Sequence, residues 1–243
     1  MNLVVDIGNT FIKYGVFEGN KLKEKHIFPS KDAWNKKILE GKENILICSV
    51  HNKEHDLSRH TGKNVMHLSS SIPCPVSNKY HQPETLGPDR LAAAVGAFHF
   101  FPNKNVLTID AGTCIKYNFV NEKDEFMGGA ISPGLQMRLR AMHQFTARLP
   151  EVEIDKADKI TANLPKLIGQ STQEGMISGA LIGASCEMDG FIDKFTALYP
   201  DITVLLTGGD APFLSRQIRN KFFAEPDLTL IGLNRILQYH REN

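Results

Sequence analysis

The chain has 243 residues, with 28 Lys+Arg against 27 Asp+Glu and a formal net charge of +1. Hydrophobic residues make up 42% and charged residues 23%, enough apolar content to supply a core and too much for a mainly disordered chain. The near-neutral balance gives no electrostatic case for nucleic acid or an anionic membrane as the main partner.

The length fits one large domain or two small ones. No apolar run approaches the ~20 residues of a membrane-spanning helix. The start, Met1-Asn2-Leu3-Val4-Val5-Asp6, meets a carboxylate at once and does not read as a signal peptide. Cys48, Cys74, Cys114 and Cys186 are scattered with no CxxC. That speaks against zinc and disulfide frameworks and for a reducing, cytoplasmic setting.

In chain order, Leu3–Ile7 predicts a buried strand. Asp6-Ile7-Gly8-Asn9-Thr10 forms a polar turn after it, and Phe11-Ile12-Lys13-Tyr14 begins a returning strand. Leu22–Phe28 reads as a third strand, Ala33–Leu39 as a helix and Ile45–Val50 as a short buried strand. His51-Asn-Lys-Glu54-His55 matches the inverted zinc-protease pattern H-x-x-E-H. Its polar surroundings, among them Lys53, Asp56 and Arg59, make it a solvated loop instead. Ser69–Pro83 holds Pro73, Pro75 and Pro83 and reads as a loop. Gly87-Pro88-Asp89-Arg90 opens an apolar helix, Leu91–Phe101, which Pro102 ends.

The pattern then repeats. Leu107-Thr-Ile-Asp110-Ala-Gly112-Thr113 is again a strand running into Asp-x-Gly-Thr, followed by Ile115-Lys116-Tyr117 and more apolar residues. With one residue of gap at Asn9 it aligns with the first hairpin. Two such hairpins suggest two similar halves, 1–103 and 104–243, each opening with a sheet. In the second half, Ser132-Pro133-Gly134 predicts the start of a helix running to about Arg148. Ser171-Thr172-Gln-Glu174 is a capping box opening another. That helix carries Gly175, Gly179 and Gly183, a stripe that would let a neighbouring helix approach closely, in the chain or across a dimer. Thr203–Thr207 is a strand entering Gly208-Gly209-Asp210, and a helix follows. Leu228–Tyr239 closes the chain as a helix. Strands alternating with helices argue for an α/β fold.

A carboxylate ending a buried strand is costly unless a cation or donors meet it. At Asp6 to Thr10, Gly8 admits a ligand near the backbone, and Asn9 and Thr10 add donors beside exposed N–H groups. That combination suits phosphate oxygens. Lys13 adds positive charge, and a bridging Mg²⁺ would reconcile Asp6 with phosphate. Gly208-Gly209 fits close approach of a planar ligand such as adenine. The chain has neither GxxxxGK[ST] nor GxGxxG, so an ordinary P-loop or dinucleotide fold lacks its signature. Asp89 at a helix start is favoured by the helix dipole in any protein, and there it could also accept a hydroxyl proton. Arg90 beside it could hold a carboxylate in a forked geometry.

Taken together, Asp6-Ile-Gly-Asn-Thr10 with Lys13, Tyr80 with Leu86-Gly87-Pro88-Asp89-Arg90, Asp110-x-Gly-Thr113 and Gly208-Gly209-Asp210 resemble type III pantothenate kinases. That family belongs to the acetate kinase–sugar kinase–Hsp70–actin superfamily. The resemblance covers nearly the whole chain. It implies two ribonuclease-H-like (actin-like ATPase) domains with a central cleft, a homodimer, and transfer of the ATP γ-phosphoryl group to pantothenate. By matching position it implies ATP binding by Asp6, Ile7, Gly8, Asn9, Thr10, Phe11, Ile12, Lys13, Thr113, Gly208 and Gly209. It implies Asp89 as catalytic base, and pantothenate binding by Tyr80, Gly87, Pro88, Asp89, Arg90 and Thr172. Mg²⁺ would sit at Asp6, and a monovalent cation, K⁺ or NH₄⁺, at Asp110. The chain departs from the family at Cys114-Ile115-Lys116, where small or hydroxyl residues are usual. Lys116 is either a solvent-facing strand residue or an added charge near the cation site. The competing readings are another small-molecule kinase of the superfamily and a non-catalytic nucleotide-binding regulator.

Overall fold

The computed structural model describes residues 1–30, 38, 42, 44–50, 65–69, 72–154 and 164–242. The helix expected over 33–39 and the His51–His55 segment lie outside the described residues, apart from Ile38. Among the described residues no helix is long and apolar enough to cross a membrane. The four cysteines are free thiols.

The first hairpin forms as its alternation demands. Strand β1 (Asn2–Ile7) pairs antiparallel with β2 (Phe11–Glu18), which pairs antiparallel with β3 (Lys21–Pro29). β1 also pairs parallel with β4 (Asn44–Ser49), and β4 parallel with β5 (Val65–His67). The sheet order is β3-β2-β1-β4-β5. Leu3, Val5 and Ile7 bury one face of β1 with Ile45 and Ile47 of β4. Period-two alternation therefore puts Asp6 on the opposite face, with Asn2 and Val4.

The second sheet repeats this plan. β7 (Val106–Ala111), β8 (Cys114–Val120), β9 (Glu125–Pro133), β10 (Thr203–Thr207) and β11 (Phe223–Ala224) run in the order β9-β8-β7-β10-β11. β7, β10 and β11 are parallel. Each sheet is mixed, with its third strand, second strand, first strand, fourth strand and fifth strand side by side. This is the ribonuclease-H-like arrangement that the resemblance implied. One addition was not expected. Ser77–Asn78, inside the expected loop, forms β6 and pairs parallel with Glu125–Phe126 at the edge of β9.

The chain divides into two compact units. The first comprises Met1–Lys104, Asn118–Gly128 and Asp227–Asn243, and the second Asn105–Tyr117 and Gly129–Pro226. In the first unit, α1 (Pro88–Phe100) starts at the expected Pro and crosses the final helix, labelled α5 (Leu228–Glu242). The crossing is very close. A Cβ on Gly232 would stand 1.8 Å from the Ala92 carbonyl oxygen, and one on Gly96 would stand 2.5 Å from that of Leu228. These two glycines fix α1 against α5, and so fix where the first turn of α1 points. Asn234 of α5 accepts a hydrogen bond from the Asn2 amide (2.9 Å) and donates to the Gly19 carbonyl (2.9 Å), tying the helix to the β1–β2–β3 end of the sheet.

In the second unit the helix expected from Ser132 begins later and ends earlier. Ser132 and Pro133 finish β9, and α2 spans Leu135–Gln144. Gly134 is extended, which ends the strand without starting the helix. At the far end the Thr146 hydroxyl donates to the Met142 carbonyl (2.7 Å), a side-chain bond that competes with the helical ladder. Ser171 caps α3 (Thr172–Leu198) as expected, accepting from Glu174 N–H. The Glu174 carboxylate reaches one residue further back than a capping box predicts, to Gln170 N–H (2.7 Å). Gly175, Gly179 and Gly183 face open space, with nothing within 4 Å of a built Cβ among the described residues. A short α4 (Ala211–Leu214) follows β10.

α3 carries Asp189, which is 3% exposed and gathers the segment before β11. It accepts hydrogen bonds from Arg219 N–H (3.1 Å), Asn220 N–H (3.1 Å) and the Asn220 side chain (2.9 Å). Burial pushes its carboxyl up, but these donors outweigh it and hold it below its ordinary 3.8. A depressed carboxyl stabilises the fold above the unfolded pKa, and that contribution disappears as pH falls through the folded one. Asp189→Asn should therefore cost about 1–3 kcal/mol at neutral pH. Denaturant melts should show the gap to the parent chain narrowing below pH 4.

Candidate active site

The first turn of the first unit is held from below. Gly8 N–H donates to the Phe11 carbonyl (3.0 Å), and the Ser30 hydroxyl donates to the Gly8 carbonyl (2.8 Å). Ser30 N–H donates to the Thr10 carbonyl (3.0 Å). Asn9 and Thr10 are exposed at the tip, Gly8 and Phe11 half-buried, and Ile7 and Ile12 buried beneath. The strand register sets Lys13 directly opposite Asp6. Carboxylate, ammonium and exposed loop donors thus share one hairpin end.

The same unit holds Tyr80, Gly87, Pro88, Asp89 and Arg90. Gly87 is the N-cap of α1 and brings no side-chain cap. Asp89 takes that role at the second helical position, where its Oδ1 accepts from Arg90 N–H (2.9 Å). A Cβ on Gly87 would stand 2.7 Å from this oxygen, so glycine leaves the carboxylate its place. Arg90 is 4% exposed, rare for a cation unless it is well partnered. Its Nε donates to Asn118 Oδ1 (2.7 Å). Its guanidinium carbon lies 5.6 Å from the Tyr80 ring centroid and 5.8 Å from that of Phe126. The two rings are stacked at 6.2 Å. Gly128, at φ +102°, lies against Tyr80, where a Cβ would come within 3.2 Å of the ring. Arg90 Nη2 is buried and meets no acceptor among the described residues. A buried, oriented N–H of a guanidinium is a strong claim on an anion.

In the second unit, three chain segments meet at the ends of β7 and β10. Gly134 N–H donates to the Thr113 carbonyl (3.1 Å), and a Cβ on Gly134 would lie 2.0 Å from the Gly112 oxygen. Gly208, at φ +101°, would place a Cβ 2.2 Å from the Ala111 oxygen. Asp210 N–H donates to that same oxygen (2.9 Å). Gly208 is therefore a packing glycine, whereas Gly209 and Thr113 face outward and are exposed. α2 begins beside this turn with no side-chain cap on its first N–H groups. Asp110, the second-last residue of β7, pairs with Lys116 of β8, with 2.7 Å between Oδ2 and Nζ. Lys116 is not a solvent-facing residue, since its side chain is only 19% exposed. Thr172 stands exposed at the first position of α3. Among the described residues no group of three or more His, Cys, Asp or Glu is placed to hold a metal ion.

The sequence reading missed Asn118, Phe126, Gly128 and Gly134. Asn118 had a signal, a polar residue between Tyr117 and Phe119 in an otherwise apolar strand, and it is fully buried. The others are recognisable only once the hairpins are folded.

These two constellations can be set beside known proteins. A family model described as type III pantothenate kinase matches residues 2–194. The type III pantothenate kinase of Christiangramia forsetii is 41% identical over 249 residues, covering 99% of each chain. That of Flavobacterium johnsoniae is 40% identical over 250 residues, covering both chains fully. The chain belongs to the type III pantothenate kinase family. Two solved structures show the fold alone. A conserved Baf family protein from Campylobacter jejuni matches at a TM-score of 0.63 and 18% identity, over 99% of this chain and 100% of that one. The activator of 2-hydroxyisocaproyl-CoA dehydratase from Clostridium difficile, solved with bound ADPNP, matches at 0.55 and 11%, over 99% and 94%.

For this family member, Gly134→Ala should force the Gly112–Thr113 turn away from α2. Overpacking of this kind costs about 1–3 kcal/mol. A lowered melting temperature, with faster amide exchange around Thr113, is the expected result.

Proposed function

We propose that this chain transfers the γ-phosphoryl group of ATP to pantothenate, giving 4′-phosphopantothenate, the first committed intermediate on the way to coenzyme A. The observation that carries the reading is the pair at the start of α1. The Asp89 carboxylate caps the Arg90 backbone N–H, and the Arg90 guanidinium is buried with an N–H to spare. Pantothenate offers what each requires, a primary hydroxyl to deprotonate and a carboxylate to bind.

In this reading Arg90 holds the substrate carboxylate, with Tyr80 and Phe126 keeping the planar guanidinium in place. Asp89 takes the hydroxyl proton as the hydroxyl oxygen bonds to the γ-phosphorus. The bond from that phosphorus to the β–γ bridging oxygen breaks, and ADP leaves. The transition state is loose, so alignment and charge neutralisation supply most of the acceleration. Lys13, Thr113 and the loop at Asn9 and Thr10 act on the phosphates, with Gly8 letting them approach the backbone. Gly209 leaves room for the nucleoside, while Gly208 lets this loop pack against Ala111.

Asp6 fits Mg²⁺ of the kind held by one carboxylate, waters and substrate phosphates rather than by an all-protein cage. When bound, Mg²⁺ would offset phosphate charge. The same family reading carries a homodimer and a cytoplasmic setting.

Asp89→Asn should lower kcat about 10²–10⁴-fold, the usual worth of a general base, and leave the ATP KM close to that of the parent. Pantothenate-dependent ADP release measures this, and a variant with the parent's kcat removes Asp89 as the base. ATP turnover without any acceptor, or ATP binding without turnover, would redirect the reading to a hydrolase or a regulator. Arg90→Lys keeps the charge but loses the planar fork. Loss of a charged hydrogen bond of about 1.5–3 kcal/mol should raise the pantothenate KM roughly 10–100-fold with little change for ATP.

A further inference from the structure

We infer that Lys116 is the resident monovalent cation of the Asp110 site, so that this enzyme needs neither K⁺ nor NH₄⁺. The inference rests on the kinase reading of the Asp110 hairpin. It turns on a disagreement between what the fold family implies and what the residues present can hold.

A carboxylate at Asp110, two residues before Gly112 of the Gly112–Thr113 turn, would repel phosphate bound at that turn. A cation on the carboxylate removes the repulsion. In this chain the Lys116 Nζ stands 2.7 Å from Asp110 Oδ2, at the contact distance of a charge-assisted hydrogen bond. Both side chains are largely shielded, 19% exposed for Lys116 and 16% for Asp110. Lys116 is also a strand residue, on β8 between β7 and β9. The strand fixes its backbone, so only rotation of its own side chain could take the ammonium away from the carboxylate. A second monovalent cation on the same carboxylate would meet this ammonium at close range, in a shielded setting where like charges repel strongly. The residues present therefore do not fit K⁺ or NH₄⁺ at Asp110.

An independent observation points the same way. Lys116 occupies the place in the second hairpin that Lys13 occupies in the first, since Ile12-Lys13-Tyr14 aligns with Ile115-Lys116-Tyr117. In the first hairpin the register sets Lys13 opposite Asp6. The chain thus sets a lysine of the returning strand at the same place in each hairpin, and at Asp110 that lysine is in direct contact with the carboxylate.

The test compares Na⁺, K⁺, NH₄⁺ and choline chlorides at constant ionic strength. Pantothenate-dependent ADP release by the wild-type chain should be equal in all four. Lys116→Ala should lose activity in Na⁺ and choline, by about 10² if this charge is worth a typical electrostatic stabiliser, and recover it in K⁺ or NH₄⁺. Lys116→Arg should stay independent of the salt. A second readout needs no turnover. Thallous ion, a K⁺ surrogate, titrated calorimetrically, should show no saturable binding to the wild-type chain. Melting temperatures of the wild type should not distinguish K⁺ from Na⁺. Stimulation of the wild type by K⁺ or NH₄⁺ over Na⁺, or saturable thallous binding to it, overturns the inference. Should the chain fail to turn over pantothenate in every salt, the kinase reading falls. The thallous titration and the melts still decide whether Asp110 holds an exchangeable ion.

Discussion

A negative charge at the end of a buried strand must be answered by a positive one, and this chain meets that constraint twice. Asp6 is the second-last residue of β1 and Asp110 the second-last of β7, each on an interior strand of its sheet. Burial makes an unanswered carboxylate there prohibitively costly. The returning strand brings a lysine to the same place in both sheets, Lys13 opposite Asp6 in the register and Lys116 in direct contact with Asp110. Because each carboxylate and lysine lie on neighbouring strands, the spacing of the sheet fixes how far apart their backbones stand. The turn between them is then free to be polar, small and open.

The anion-binding group in the first unit obeys the opposite logic. Arg90 is almost wholly buried and yet incompletely paired. Its Nε is satisfied by Asn118, and two aromatic rings shield its faces. These contacts fix the direction of the remaining N–H bonds without consuming them. Such an arrangement costs stability in the free protein, since a buried donor without a partner is expensive. It repays that cost only when an anion arrives, as expected of a preorganised site. The close crossing of α1 and α5 at Gly96 and Gly232 holds the first turn of α1 still enough for this to work.

How much of this could be read beforehand depended on whether the information was local. The two hairpins, the Pro88 start of α1 and the Ser171 cap are written in short runs of residues, and the structure places them where periodicity and capping rules put them. The start of α2 was misplaced because Ser132-Pro133 carries a helix-start signal, while its strand role depends on pairing within the second sheet. β6 is a two-residue strand, too short for any alternation to register. Gly134 looked like an ordinary helix-start glycine. Only the folded turn shows that its missing Cβ is what lets α2 touch Gly112. For Lys116 the sequence left two alternatives standing, and the choice needed the position of its ammonium across the strand pair.

The Lys116 contact also shows what kind of trade a tethered cation makes. A dissolved ion must be recruited from solution on each cycle of binding, and its occupancy follows the salt around it. An ammonium on a strand is always present and carries no translational entropy to lose on binding. Its cost is the rotamer freedom of a long side chain, spent once on folding. Its limit is geometry, because a lysine offers three hydrogen-bond directions where a naked ion accepts ligands from all sides. A site that needed the ion to coordinate several phosphate oxygens could not accept that exchange. A site that needed only to cancel one carboxylate could. The contact of Lys116 with Asp110 at 2.7 Å, near a strand end whose neighbouring turn offers donors of its own, fits the second kind.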